Sequence, residues 1–187
     1  MDPNSSKRNY YIIGLGNPEP RYNQSLHNAG YAILEHYAKT LGVSFTHDPQ
    51  INADVCNLLH LDRQIALIKP TAGMNDSGQT MQRIREIDPG FAPERCLIVY
   101  DELALQGGEV RYAADGRDAG HRGMRSMLSA CQTTAVPRIR LGIGPDPGGA
   151  KRFAYVTEPV SDDRWQIVMN MADRAIVLID RFLKQHV

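Results

Sequence analysis

Apolar positions along the chain follow two patterns, short continuous runs and runs with helical spacing. The β-branched and aromatic runs at 10–15 (YYIIGL) and 95–100 (RCLIVY) predict buried strands, because a strand covered on both faces carries few alternating polar positions. Over 28–41 and 75–87, apolar residues recur every three or four positions, which predicts amphipathic helices. The chain is therefore expected to begin with a strand, a loop and a helix.

The rest of the chain continues this alternation. Strands are predicted at 54–60, 64–69, 109–112 and 138–143, and helices at 121–131 and 161–183. Strands that alternate with helices predict an α/β fold, a single domain with a mixed, largely parallel twisted sheet flanked by helices on both faces. Ser161 is a candidate N-cap of the last helix, and residues 145–149 (PDPGG) predict a surface loop.

Length and composition are those of one ordinary globular domain. With 187 residues, 42% hydrophobic and 22% charged, we assign this domain to 10–187. Residues 1–9 are expected to be poorly ordered and contain no secretion signal. No apolar run approaches the roughly 20 residues of a membrane-spanning helix. Cys56, Cys96 and Cys131 form no CxxC pair, which argues against a disulfide framework or a thiolate zinc site and favours a reducing compartment.

The formal net charge is zero, which argues against a protein that coats nucleic acid non-specifically. Residues 111–152 depart from this balance. Their basic residues are Arg111, Arg117, Arg122, Arg125, Arg138, Arg140, Lys151 and Arg152, against the acidic Asp115, Asp118 and Asp146. The stretch forms either a basic face for a polyanion or a solvated surface whose arginines pair with acids elsewhere.

Polar loops follow three of the predicted strands, at the end of the sheet where α/β proteins place their active sites. The first loop contains a GLG sequence that resembles the start of a dinucleotide-binding motif. Glu19 stands where the motif GxGxxG needs its third glycine, and Pro18 and Pro20 prevent a helix from starting there. The sequence therefore excludes a nucleotide cofactor at this loop. The chain also lacks the GxSxG motif of serine esterases.

Three polar residues next to these strands each have two interpretations when taken alone. Asn75 either caps the following helix or offers its amide to a ligand. Asp101, at the end of the strand 95–100, either serves a turn or orients a histidine. His27 either packs at a helix start or acts as a base, a task that suits an imidazole because its ordinary pKa lies near neutrality.

Taken together, the loop sequences decide between these interpretations. The motifs GLGNPxxxY, HNAG, KPTxxMNxSG, YDEL and GHRGMRS occur in an order and spacing that resemble the bacterial-type peptidyl-tRNA hydrolase family, over residues 10–160. The resemblance implies hydrolysis of the ester bond that joins a peptide to the terminal ribose of tRNA, which recycles the tRNA. It also implies an enzyme that uses neither a metal ion nor an organic cofactor.

The resemblance implies a role for each of four catalytic residues. His27 would be the general base that takes a proton from the attacking water, and Asp101 would hold its imidazole in the required tautomer. Asn75 would stabilise the negative charge that develops on the carbonyl oxygen. Asn17 would read the peptide link, which would let the enzyme spare aminoacyl-tRNA with a free amino group.

Further residues are implied in substrate binding. Tyr22, Met74 and His121 would line the cleft near the tRNA end and the peptide. Arg111, Arg138 and Arg140 would contact phosphates, which would make affinity fall with salt. The implied partners are peptidyl-tRNA and the tRNA acceptor end, with ribosome association left open. A monomer away from membranes is expected, in the cytoplasm or, in a eukaryote, in the mitochondrial matrix.

Two positions depart from the family pattern. Gly73 stands where the family usually has an aromatic residue, so no side chain is available there to stack on the acceptor end. Arg122 stands where the family usually has asparagine, and it either contacts a phosphate or obstructs the cleft. These departures leave an alternative function open, that of a weak or inactive family member acting as an RNA-binding or ribosome-associated factor. Retention of Asn17, His27, Asn75 and Asp101 favours the enzyme.

Overall fold

The computed structural model describes residues 9–61 and 63–185. Its strands are Asn9–Gly14 (β1), Thr46–Asp48 (β2), Ala53–His60 (β3), Arg63–Pro70 (β4), Cys96–Gln106 (β5), Val110–Ala113 (β6) and Arg138–Gly144 (β7). Its helices are Ala29–Thr40 (α1), Gly78–Ile87 (α2), Arg122–Cys131 (α3), Lys151–Thr157 (α4), Asp162–Met169 (α5) and Ala172–Gln185 (α6). The predicted poorly ordered segment, 1–9, lies outside the described residues apart from Asn9, which begins β1.

The strands form one seven-stranded sheet in the order β2-β3-β4-β1-β5-β7-β6. β4, β1, β5 and β7 run parallel to one another. β2 and β3 at one edge and β6 at the other are antiparallel to their neighbours. The prediction of an α/β domain with a mixed, largely parallel sheet is confirmed. The carboxyl ends of β1, β4 and β5 therefore lie together at one end of the sheet.

Both faces of the sheet are covered, because successive side chains of a strand point to opposite faces. On one face, Ile12 of β1 belongs to a core shared with α1, α5 and α6. On the other face, Ile13 belongs to a core shared with α2 and α3. The continuous apolar run of β1 therefore reflects burial on both sides, as predicted. Within the described part of the chain, no helix is long and apolar enough to cross a membrane.

The predicted helix 161–183 is wrong as a single element, since it is divided into α5 and α6. At the break, the Met171 amide donates to the carbonyl oxygen of Val168, three residues back, which tightens the turn. The apolar stripe continues through the break, so its spacing gave no sign of it. Ser161 does occupy the N-cap position of α5, but its side chain makes no capping hydrogen bond. The short helix α4 and the strand β2 were not predicted.

Candidate active site

A cleft of about 740 Å³ opens at the carboxyl ends of the parallel strands. Its walls come from the loops after β1 and β4, residues 101–104 within β5, the start of α3 with the loop before it, and the helix α4 with the loop before it. Gly30 allows α1 to begin directly above the sheet. A Cβ atom on Gly30 would lie 2.3 Å from the carbonyl oxygen of Val99 and 2.6 Å from the amide nitrogen of Leu15. This close approach holds the turn that carries His27 over the middle of β5, next to Asp101.

His27 and Asp101 form a direct pair on the floor of the cleft. His27 lies in the turn Leu26–Asn28 before α1, and Asp101 lies in β5, 2% exposed. The Nδ1 atom of His27 is 2.9 Å from Oδ1 and 3.0 Å from Oδ2 of Asp101. An Nδ1–H that donates to the carboxylate leaves Nε2 with its lone pair, and no described residue is hydrogen-bonded to Nε2. The Nε2 lone pair is therefore available to accept a proton in the cleft that His27 lines.

His121 is a second imidazole on the same carboxylate. Its Nε2 lies 3.0 Å from Oδ1 of Asp101, and its ring centroid is 4.7 Å from that of His27. As the N-cap of α3, it accepts the Met124 amide N–H at Nδ1, over 3.0 Å. A neutral ring that accepts at Nδ1 carries its proton on Nε2, so His121 donates to Asp101. Asp101 thus accepts hydrogen bonds from both histidines.

These contacts shift the pKa values of the pair. Burial lowers the pKa of His27, but the charge of Asp101 and its hydrogen bond raise it by more, and the net pKa is raised despite the nearby charge of Arg122. Burial would raise the pKa of Asp101, yet His27 and His121 hold it well below its usual range. Asp101 is therefore ionised at neutral pH.

The ligand-type atoms of His27, Asp101 and His121 lie within 4.8 Å of one another, a spacing that a metal ion could bridge. A metal would need a lone pair from each histidine. The Nδ1 lone pair of His121 is used by the helix amide of Met124, and its Nε2 proton is donated to Asp101. The hydrogen bonds thus suit an arrangement that orients and holds protons better than a metal centre.

Asn17 lines the cleft with one half of its side-chain amide free. It is buried, and its Oδ1 accepts the Met74 amide N–H over 2.9 Å, which turns Nδ2 outward as a donor. Asn28 fixes this loop through two hydrogen bonds with the Asn17 backbone, of 2.8 and 3.0 Å. We did not predict this role for Asn28. Its position directly after His27 in the HNAG motif was the available signal.

Asn75 lies in the turn Met74–Asp76 and lines the same cleft. Its side chain is exposed and makes no hydrogen bond to a described residue. Ser77, not Asn75, occupies the N-cap position of α2, so the capping interpretation of Asn75 is wrong. Met74 is buried beneath this turn, and no atom lies within 4 Å of the Cβ position of Gly73. The cleft thus offers the Nδ2 donor of Asn17 and the whole side-chain amide of Asn75.

The predicted binding residues separate into two groups. Tyr22, Gly73, Met74, His121 and Arg122 line the cleft, whereas Arg111, Arg138 and Arg140 do not. Arg111 and Arg140 are directly paired neighbours on β6 and β7.

The structure contradicts the prediction that Arg138 contacts a phosphate. It is 1% exposed, and its guanidinium donates to the carbonyl oxygens of Gly116, Arg117, Thr134 and Val136. A guanidinium enclosed in this way has no surface to offer a phosphate. Arg138 instead ties the loop after β6 to β7.

The basic stretch 111–152 was expected to form either a basic face or a surface of arginines paired with acids, and neither description holds for all of its residues. Arg111, Arg125 and Arg152 each pair with an acid, Glu109, Asp118 and Asp146 respectively, at 2.6 to 2.8 Å. Arg122 makes no ion pair with a described residue and is exposed at the edge of the cleft. Further cleft residues, which we had not singled out, lie on α4 and the loop before it, among them Asp146, Arg152 and Phe153.

The fold and site define an α/β domain with a hydrolase-type cleft built around a histidine, a carboxylate and two amides. The sequence profile of the peptidyl-tRNA hydrolase family matches residues 11–187. The peptidyl-tRNA hydrolase of Moorella thermoacetica is 36% identical over 157 residues, which cover 84% of this chain and 82% of that protein. The chain therefore belongs to the peptidyl-tRNA hydrolase family, a family of carboxylic ester hydrolases, and the resemblance found in its loops is confirmed.

Solved structures agree with this assignment. The Acinetobacter baumannii peptidyl-tRNA hydrolase superimposes with a TM-score of 0.85 at 28% identity, covering 96% of this chain and 91% of that chain. A peptidyl-tRNA hydrolase in complex with propanol superimposes with a TM-score of 0.84 at 28% identity, covering 95% of this chain and 90% of that one. The similarity therefore extends over the whole domain.

Proposed function

We propose that the protein hydrolyses the ester bond of peptidyl-tRNA, with His27 as the general base. The observation that carries this proposal is the contact of His27 Nδ1 with Asp101, which leaves Nε2 as a free base in a cleft that also contains the Asn17 Nδ2 donor and the Asn75 amide. A protein that only binds RNA needs neither a base nor an orienting carboxylate. The inactive-member alternative is for this reason not favoured.

In the proposed reaction, His27 Nε2 takes a proton from water as the water oxygen bonds to the ester carbonyl carbon. Asp101 stabilises the imidazolium that forms, and the Asn75 amide donates to the developing oxyanion. When the tetrahedral intermediate collapses, the bond between the carbonyl carbon and the ribose oxygen breaks. The proton on Nε2 then passes to that ribose oxygen, which returns His27 to its starting state.

Asn17 supports the selection of peptidyl-tRNA. Its Oδ1 is held by the Met74 amide, so only the Nδ2 donor faces the substrate. A donor in this position suits the carbonyl oxygen of a peptide link and repels the ammonium group of a free aminoacyl-tRNA. We propose that this polarity, fixed by one backbone hydrogen bond, lets the enzyme spare aminoacyl-tRNA.

The decisive experiment replaces the base. With N-acetylated aminoacyl-tRNA as substrate, we expect His27→Ala to lower kcat/KM by about 1,000-fold, a typical contribution of a general base. His47→Ala is the matched control, because His47 also contacts an aspartate, Asp54, but lies exposed on β2 outside the cleft. Far-UV circular dichroism would verify that both variants are folded. Equal activity of the two variants would exclude His27 as the base.

A further inference from the structure

An aromatic side chain on α4 faces the cleft and has no part in the steps above. Phe153 lines the cleft and is 68% exposed, more than any other large hydrophobic residue in the described part of the chain. Its ring makes no contact with another described aromatic or cationic side chain. Covering a solvent-exposed phenyl ring with a ligand is favourable, because it removes apolar surface from water.

The start of α4 is tied to the loop before it by a two-point ion pair. Arg152, the residue before Phe153, binds both carboxylate oxygens of Asp146, with Nε 2.8 Å from Oδ1 and Nη2 2.6 Å from Oδ2. The Thr157 hydroxyl donates to the Phe153 carbonyl oxygen over 2.7 Å. A binding contact made by a pre-positioned group loses less entropy on association.

A different wall of the cleft lacks the ring that the family pattern leads one to expect. Gly73 carries no side chain, and nothing lies within 4 Å of its Cβ position. Gly73 itself therefore offers no ring that could stack on the acceptor end. The cleft thus has no side chain at Gly73 and a solvent-exposed aromatic ring, that of Phe153, on α4.

We propose that Phe153 stacks on the base of the terminal nucleotide of the tRNA and supplies the aromatic surface that Gly73 does not. This inference rests on the proposed function. The base is the planar part that all substrates share, whereas the peptide side chain next to the ester differs from one substrate to another. Base–aromatic stacking is also strong enough to matter, since its removal typically weakens binding by about tenfold or more.

The test compares Phe153→Ala, Phe153→Trp and Val177→Ala, the last being an exposed apolar residue of α6 outside the cleft. KM and kcat are measured for N-acetylglycyl-tRNA and N-acetylleucyl-tRNA. Binding of the trinucleotide CCA is measured separately by calorimetry, without turnover. We expect Phe153→Ala to raise KM for both substrates and the Kd of CCA by about tenfold, with kcat little changed. Phe153→Trp should restore both, and Val177→Ala should match the unmodified protein.

The other outcomes overturn the proposal in distinguishable ways. A KM effect confined to the leucyl substrate would place Phe153 against the peptide. Unchanged KM and unchanged CCA binding in Phe153→Ala would remove it from substrate recognition while leaving the proposed function intact. Conversely, CCA binding that depends on Phe153 in a protein without ester hydrolysis would refute the proposed function and retain the stacking contact.

Discussion

At the scale of residues, the contact between His27 and Asp101 makes both the stability of the fold and the proposed catalysis depend on pH. The pKa of Asp101 is lowered in the folded protein, so its contribution to stability is present above its unfolded pKa of about 4 and is lost as pH falls through the folded pKa. The pKa of His27 is raised, so its contribution is present below about 6.5 and is lost as pH rises through the folded pKa. In the proposed reaction, catalysis needs the neutral imidazole of His27, so activity is expected to increase over the pH range in which that contribution is lost.

Arg122 is a position at which a substitution can change the pKa of His27. His27 is acted on by Asp101, which raises its pKa, and by Arg122, whose positive charge lowers it. We expect Arg122→Asn to move the acidic limb of the kcat/KM profile to higher pH, because the imidazolium loses a repulsive neighbour. Arg125→Asn is the control, since Arg125 also lies on α3 but pairs with Asp118. A profile that shifts equally in both variants would contradict a direct effect of Arg122 on His27.

At the scale of elements, periodicity predicted most of the fold, and tertiary contacts account for what it did not. The strand β1, the helix α1 and the first half of β5 followed from their apolar patterns, but β5 continues through Asp101 to Gln106, beyond the predicted end at residue 100. Arg138 and Arg140 could not be distinguished in this way, because alternate residues of a strand point to the same face. The loop after β6 is what makes them differ. Its carbonyl oxygens accept hydrogen bonds from Arg138, which is buried, whereas Arg140 stays partly exposed. In the same way, the position of Asn75 is set by the turn Met74–Asp76, which helical periodicity does not predict.

The contact between α2 and α3 depends on one glycine. A Cβ atom on Gly78 would lie 2.3 Å from the backbone oxygen of Ser126, so the two helices would have to separate. We expect Gly78→Ala to lower the free energy of unfolding by about 2 kcal/mol, as overpacking usually does. Gly73→Ala is the control, because Gly73 has open space around it and a φ of −59°, which alanine adopts freely. Chemical denaturation would measure both, and equal stabilities would contradict a tight helix contact.

At the scale of the whole molecule, the chain has no formal net charge, and its arginines differ in whether they can reach a phosphate. Of the three arginines proposed from the sequence as phosphate contacts, Arg138 is enclosed, and Arg111 and Arg140 remain as cross-strand neighbours at the β6 edge of the sheet. Arg122 adds a charge at the cleft itself. A protein without net positive charge can bind RNA tightly only if its cations meet phosphates at defined places.

This arrangement predicts how tRNA binding responds to salt. Each phosphate contact releases counterions, so the slope of log K against log salt should fall by about one when Arg111 or Arg140 is replaced by glutamine. Lys39→Gln is the matched control, because Lys39 is exposed in the last turn of α1, at the opposite end of that helix from His27. The measurement is a titration of tRNA at several salt concentrations. If the slopes of Arg111→Gln and Arg140→Gln equal that of Lys39→Gln, the β6 edge does not contact the RNA backbone, and the acceptor stem must lie along another side of the cleft.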